Sequence, residues 1–165
     1  ADVPLGAFVK GGGGGGNAQT TSISLYRQLH HGSLHKRGYR SNSSIHKASM
    51  KESMAAGLLL ATNYDFSLRQ EDHHLTICDP MAGSGSLILE ACMLLGDVAP
   101  GIMRIKCGVP NSKDPPVLKW KSEEKNVTSI WNKLLVDAAS RAKHGLSMLE
   151  TRKVDIVANE VHPGA

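Results

Sequence analysis

The chain has too few of several residues, or has them in the wrong spacing, for a number of common functions. Its three cysteines, Cys78, Cys92 and Cys107, form no CxxC pair and leave one thiol without a mate, which fits a reducing, intracellular compartment. Its eight histidines include the neighbours His30-His31 and His73-His74 but no HExxH, so no metal centre is expected. No apolar run approaches the roughly 20 residues needed to cross a bilayer, and the N-terminus has no secretory pattern. Ala1 stands where a Met would start a chain, which leaves room for an upstream segment. Aromatics make up 4% of the 165 residues, although hydrophobic residues reach 41%, enough for the core of one ordinary domain. Acids are scarce in the first part: residues 1–70 hold eight Lys/Arg against three Asp/Glu, whereas the rest is nearly balanced. From Gly32 to Lys51 there are five basic residues and no acid. Such a face suits a polyanion such as RNA, and charge by itself also fits a solvated surface.

What the chain does contain begins with an unbroken glycine run, Gly11 to Gly16. No Lys-Ser/Thr follows at phosphate-loop spacing, so the run reads as a flexible linker within residues 1–19. Thr20 to Arg27 alternates as a strand, with Ile23 and Leu25 on one face. His35 to Arg40 is either its hairpin partner or an extended exit from the turn at Gly32. Residues 20–46 thus form a hairpin and linker region. Ser41 to Ser44 supplies caps for a helix over Lys47 to Ala61, with Met50, Met54, Leu58 and Ala61 on a core-facing stripe that Ala55 and Leu59 widen. Asp97 to Lys125 carries four prolines and reads as irregular. Asn126 to Leu149 reads as a long helix, and Val154 to Ala158 as a buried strand ending in Asn159-Glu160.

Between these lies CDPMAGSGSLILEACMLL, Cys78 to Leu95. A short β-prone run, His74 to Cys78, precedes it, and Leu87 to Leu95 is apolar enough for a buried helix. The linker reads as a strand-to-helix turn in which Gly83 and Gly85 allow positive φ and leave room for a ligand to approach the backbone. The helix N-terminus that follows favours a polar or anionic group. A dinucleotide fold would place a third glycine where Ile88 stands and an acid about 20 residues later. Here the next acid at a strand end is Glu160, so a nucleotide-binding oxidoreductase is the weaker alternative.

The pattern D-x-x-x-G-x-G resembles the first motif of Rossmann-like methyltransferases that use S-adenosylmethionine. With SLHKRGYR (Ser33 to Arg40), KESMAAGLLL (Lys51 to Leu60), DPMAGSGSLILEA (Asp79 to Ala91) and APG (Ala99 to Gly101), in that order, the chain resembles the THUMP-associated RNA methylase family. Within it, the bacterial-type large-subunit rRNA guanine-N2 methyltransferases are the nearest likeness, over Ser22 to Gly164. The resemblance implies an α/β fold: residues 47–165 would be the front part of a Rossmann-like class I methyltransferase domain, preceded by the short β-hairpin and linker. It implies S-adenosylmethionine as cofactor, held by Asp79, Pro80, Ala82, Gly83, Ser84, Gly85 and Glu160. It implies RNA as partner (rRNA first, tRNA second), with Lys36, Arg37 and Arg40 as phosphate contacts and neither membrane nor metal. Arg37 and Tyr39 have a second reading, as anchors of the linker to the domain. Ala82 and Ser86 replace the family's usual Cys and Thr. The family's catalytic Asn/Asp-Pro-Pro-Tyr does not occur: Pro115-Pro116 follows Asp114 but leads to Val117-Leu118. No residue here is therefore assigned a catalytic role, and the chain alone is expected to be inactive. A non-catalytic RNA-binding protein with a vestigial cofactor turn is the other alternative.

Overall fold

The computed structural model describes residues 5–11, 21–27, 29–30, 32–40, 49–62, 74–119 and 124–161. Gly12 to Gly16, the caps Ser41 to Ser44, Lys47, His73 and Trp120 lie outside the described residues. The first element is strand β1, Leu5–Gly11, which pairs antiparallel with β2, Thr21–Arg27, in a register from Leu5 opposite Arg27 to Gly11 opposite Thr21. The partner of β2 is thus β1, which begins before the glycine run and takes Gly11 from it. His35 to Arg40 is therefore not its hairpin partner: residues 32–40 contain no strand and pass through a turn in which the Lys36 N–H donates to the Ser33 carbonyl.

Helix α1, Glu52–Ala61, starts later than Lys47, because Lys51 is extended (φ −65°, ψ 141°) and caps it without a side-chain bond. Its expected core stripe is also displaced. Met54 and Leu58 are exposed, whereas Ala55 and Glu52 are buried. Apolar residues surround this helix on nearly every side, so the pattern alone does not single out one face.

Strand β3, Leu75–Asp79, lies parallel to β4, Val154–Ala158, paired from Leu75 opposite Val154 to Asp79 opposite Ala158. Parallel neighbours need a long crossover. It consists of α2 (Ser86–Leu95), α3 (Pro100–Lys106), a short 3₁₀ turn (Pro116–Lys119) and α4 (Glu124–Thr151). The expected irregular stretch therefore contains α3. Pro100 opens that helix at its first position, where a proline loses no intrahelical bond, and Ala99 is its extended N-cap.

The core gathers where the helices meet, with Ala55, Ala91, Met93, Leu95, Ile102 and Ala142 buried. Helix α4 approaches the end of α2 backbone to backbone. A Cβ on Gly145 would stand 2.1 Å from the Gly96 carbonyl oxygen. Arg141, one turn earlier on α4, bonds both carboxylate oxygens of Asp97 at 3.0 and 2.5 Å. This docking determines where α4 delivers β4. The result is a mixed α/β arrangement, a parallel strand pair with its connecting helices. Ile156 and Val157 of β4 remain exposed.

Candidate functional site

The parallel register brings the ends of β3 and β4 side by side, and the chain stitches them together. The Asn159 N–H donates to the Asp79 carbonyl at 2.9 Å, and the Ala82 N–H donates to the Asn159 carbonyl at 2.8 Å. The Asn159 amide group adds a 3.3 Å bond to the Pro80 carbonyl. Asp79 is 9% exposed, and its Oδ1 accepts the Met81 N–H at 3.1 Å. The carboxylate thus orders the turn directly after the strand, as short acidic side chains do.

Both glycines of the turn take the positive φ that glycine allows, 53° at Gly83 and 74° at Gly85. At neither position would an added Cβ meet an atom within 4 Å. The turn is therefore open on that side. Gly85 caps α2 with no side-chain bond to the first-turn amides, its own N–H bonds Ala82 at 2.8 Å, and the Ser84 and Ser86 hydroxyls lie 3.2 Å apart. From the end of β4, the Glu160 carboxylate reaches back and accepts the Gly83 N–H at 2.7 Å. Asp79, Pro80, Ala82, Gly83, Ser84, Gly85 and Glu160 thus form one constellation although up to 81 positions separate them in sequence. Open glycine backbone, a helix start and a nearby carboxylate suit a cofactor with an amino-acid end and a ribose diol, so the donor set fits S-adenosylmethionine.

The three basic residues of SLHKRGYR do not act alike. Lys36 is exposed. Arg37 is buried: its Nε donates to Glu90 Oε1 at 3.2 Å, a second nitrogen reaches Oε2 at 3.5 Å, and a third bonds the Leu34 carbonyl. Arg37 is thus bonded to α2, the kind of contact that its reading as an anchor describes. Arg40 is half-buried and donates to the Met50 carbonyl at 2.6 Å.

Glu90 is the residue that sequence reasoning missed. It is 1% exposed, and it also accepts the Tyr39 hydroxyl at 2.9 Å. Burial first, then the Glu90 bond and charge, push the Tyr39 phenol well above its ordinary range. The signal was a lone acid inside LILEACMLL, because a buried carboxylate requires partners. Arg104 on α3, also buried, donates to the Ser33 and Lys36 carbonyls. Gly38 (φ 94°) fits so closely under α3 that a Cβ would lie 2.5 Å from that of Cys107. The whole motif is thus clamped to α2 and α3. An open trough on α4 between Thr128 and Ser140 lies on that one helix and encloses nothing. Among the described residues, no three His, Cys, Asp or Glu come together as metal ligands.

A glycine turn and an acid at adjacent parallel strand ends, joined through helices, are features of a Rossmann-like fold. The chain belongs to the RMKL-like methyltransferase domain family, which matches residues 37–154. A protein of Desulfotalea psychrophila named ribosomal RNA large subunit methyltransferase K/L is 35% identical over 123 residues, 74% of this chain and 15% of that protein. Its namesake in Methylococcus capsulatus is 36% identical over 118 residues (71% and 14%), and that of Allochromatium vinosum 33% over 147 (88% and 18%). The chain thus spans between 14% and 18% of the length of these relatives. No solved structure matches it.

Proposed function

We propose that this chain is the cofactor-binding front of an S-adenosylmethionine-dependent RNA methyltransferase whose substrate is large-subunit rRNA and whose acceptor is a guanine N2. The observation that carries the reading is Glu160 bonded to Gly83 beside an open glycine turn. The names of the relatives support the substrate class. When bound, the cofactor supplies an electrophilic methyl group on a sulfonium. In this reading Asp79 keeps the turn in shape through Met81, the Gly83–Gly85 backbone and the start of α2 receive the amino-acid end, and Glu160 accepts the ribose hydroxyls. Lys36, held in place through its own carbonyl by Arg104, is a phosphate contact. The guanine is flipped into the pocket, and transfer is then mainly a matter of proximity and alignment.

One sequence feature favours a second reading for the chain on its own. Its 165 residues hold no Asn/Asp-Pro-Pro-aromatic to accept the amine hydrogens, so it would bind cofactor or RNA without turnover. Calorimetric titration with S-adenosylhomocysteine and with NAD tests the main reading. Binding of the first and not the second is the expected result. Binding of NAD alone would return the chain to the oxidoreductases.

A further inference from the structure

The strand ends are tied in two different ways. Two backbone bonds of Asn159 and one from its side-chain amide fix where β4 leaves the sheet, and they do not involve the glycines. The tie to Gly83 is different, because it is made by the carboxylate of an exposed side chain. Nothing would touch a Cβ at Gly83, so hydrogen bonding rather than packing positions this part of the turn. The amide and the carboxylate are also the two groups that the cofactor reading assigns to different ends of one ligand. While bonded to each other, neither is fully available to that ligand.

We propose that Glu160 is a positioning residue of the glycine turn as well as a ribose acceptor. Without ligand, its carboxylate holds the Gly83 N–H. A diol that engages both carboxylate oxygens turns the carboxylate away from Gly83, which frees the amide for the amino-acid end of the ligand. The idea rests on the cofactor reading above and adds a consequence to it. The nucleoside half of the cofactor prepares the site for the amino-acid half. Occupancy by a nucleoside with free 2′ and 3′ hydroxyls raises methionine affinity about fivefold, the low end of ordinary coupling between two ligands.

The test is nuclear magnetic resonance on the isotope-labelled 165-residue chain. In the free chain, Glu160→Ala speeds hydrogen exchange at Gly83 about fivefold, as expected for loss of one net hydrogen bond. Gly85, whose N–H is bonded to Ala82, serves as an unaffected internal reference. An unchanged Gly83 rate would overturn the tie. Adenosine then shifts the Gly83 amide in step with its own binding and tightens methionine about fivefold, whereas 2′,3′-dideoxyadenosine does neither. Adenosine that binds while the Gly83 amide stays still would overturn the handover and leave the cofactor reading standing. If neither adenosine nor S-adenosylhomocysteine binds while Glu160→Ala still frees Gly83, the cofactor reading fails, and the handover fails with it.

Discussion

Replacing Gly145 by alanine pits two effects of opposite sign against each other. In a helix interior the change is ordinarily favourable by about 1 kcal/mol, because alanine restricts the unfolded chain and suits the helix. In α4, however, the new methyl would lie 2.1 Å from the Gly96 carbonyl oxygen and 2.5 Å from its carbon. A carbon–oxygen contact settles at about 3.3 Å or more, so the helices must part by roughly an ångström. The obstacle is backbone, which cannot swing aside as a side chain would. Overpacking of this kind costs about 1–3 kcal/mol, and a rigid obstacle puts the cost toward the upper end. The clash therefore wins, by about 1–2 kcal/mol, which lowers Tm by about 2–8 °C for a chain of this size.

Gly57→Ala is the matched control. Gly57 lies in the middle of α1, and an added Cβ there would meet nothing within 4 Å. It should therefore show the favourable effect alone, with a small rise in Tm. Both variants are compared with the parent chain by thermal denaturation followed by circular dichroism. If Gly145→Ala raises Tm as Gly57→Ala does, α4 does not lie against α2, and the placement of β4 and Glu160 that follows from it fails too.

Removing the Glu90 carboxylate as Glu90→Ala leaves Arg37 buried without its counter-charge, and urea denaturation should show a loss of about 3–5 kcal/mol. The double replacement Arg37→Met with Glu90→Leu should recover most of that, and equal losses in both variants would refute an ion-pair origin. Lys36→Ala should reduce the salt dependence of RNA binding by about 0.7–0.9 in log–log slope, as for one phosphate contact, with Tm unchanged. Arg37→Ala, by contrast, should lower Tm; a stable Arg37→Ala chain with a reduced slope would restore it as an RNA contact. The raised pKa of Tyr39 means that the folded state holds its phenolic proton more tightly than the unfolded state does. That stabilisation is complete below the ordinary phenol value of 10.0 and is lost as pH rises above it. Alkaline denaturation should therefore set in later for Tyr39→Phe than for the parent once their neutral-pH stabilities are matched in urea, and coincident profiles would exclude Tyr39 as the cause.

What could be read from the sequence and what could not follow from where the relevant information lies. The glycine turn is encoded locally: two glycines at a strand-to-helix junction serve positive φ, and both adopt it. β4 and its terminal acid are legible because a short β-prone run ends in Asn-Glu. α3 is hidden by its own proline, since Pro100 resembles a breaker until it is seen to occupy the first position of a helix. β1 is hidden because the glycine run beside it dominates the composition of the first residues. The orientation of α1 is not encoded in its own segment at all. The contact with α2 decides it, and Ala55 of α1 and Ala91 of α2 are both fully buried.

The basic motif shows the same limit at the site itself. Lys36 and Arg37 are adjacent and equally cationic, and no local pattern separates a phosphate contact from an anchor. The distinction is made 53 positions later, by one glutamate in an apolar helix. A buried ion pair is weak evidence for stability, since a well-packed apolar pair often does as well or better. Its value here is geometric. Glu90 stands on the helix that Gly85 opens, and Arg37 and Tyr39 flank Gly38 in the segment that also presents Lys36 to solvent. A single carboxylate therefore ties the helix of the glycine turn to the segment of the proposed RNA contact. An apolar pair would keep the two elements together, but it would not set their register, because apolar contacts slide where a carboxylate fork holds three directional bonds. The double replacement Arg37→Met with Glu90→Leu thus separates the two roles: it should restore Tm while the exposed Lys36 segment loses its fixed position, visible as faster amide exchange at Arg37 to Arg40. Restored stability with undiminished protection there would mean that Arg104 and the close fit of Gly38 suffice, and that the ion pair adds no register.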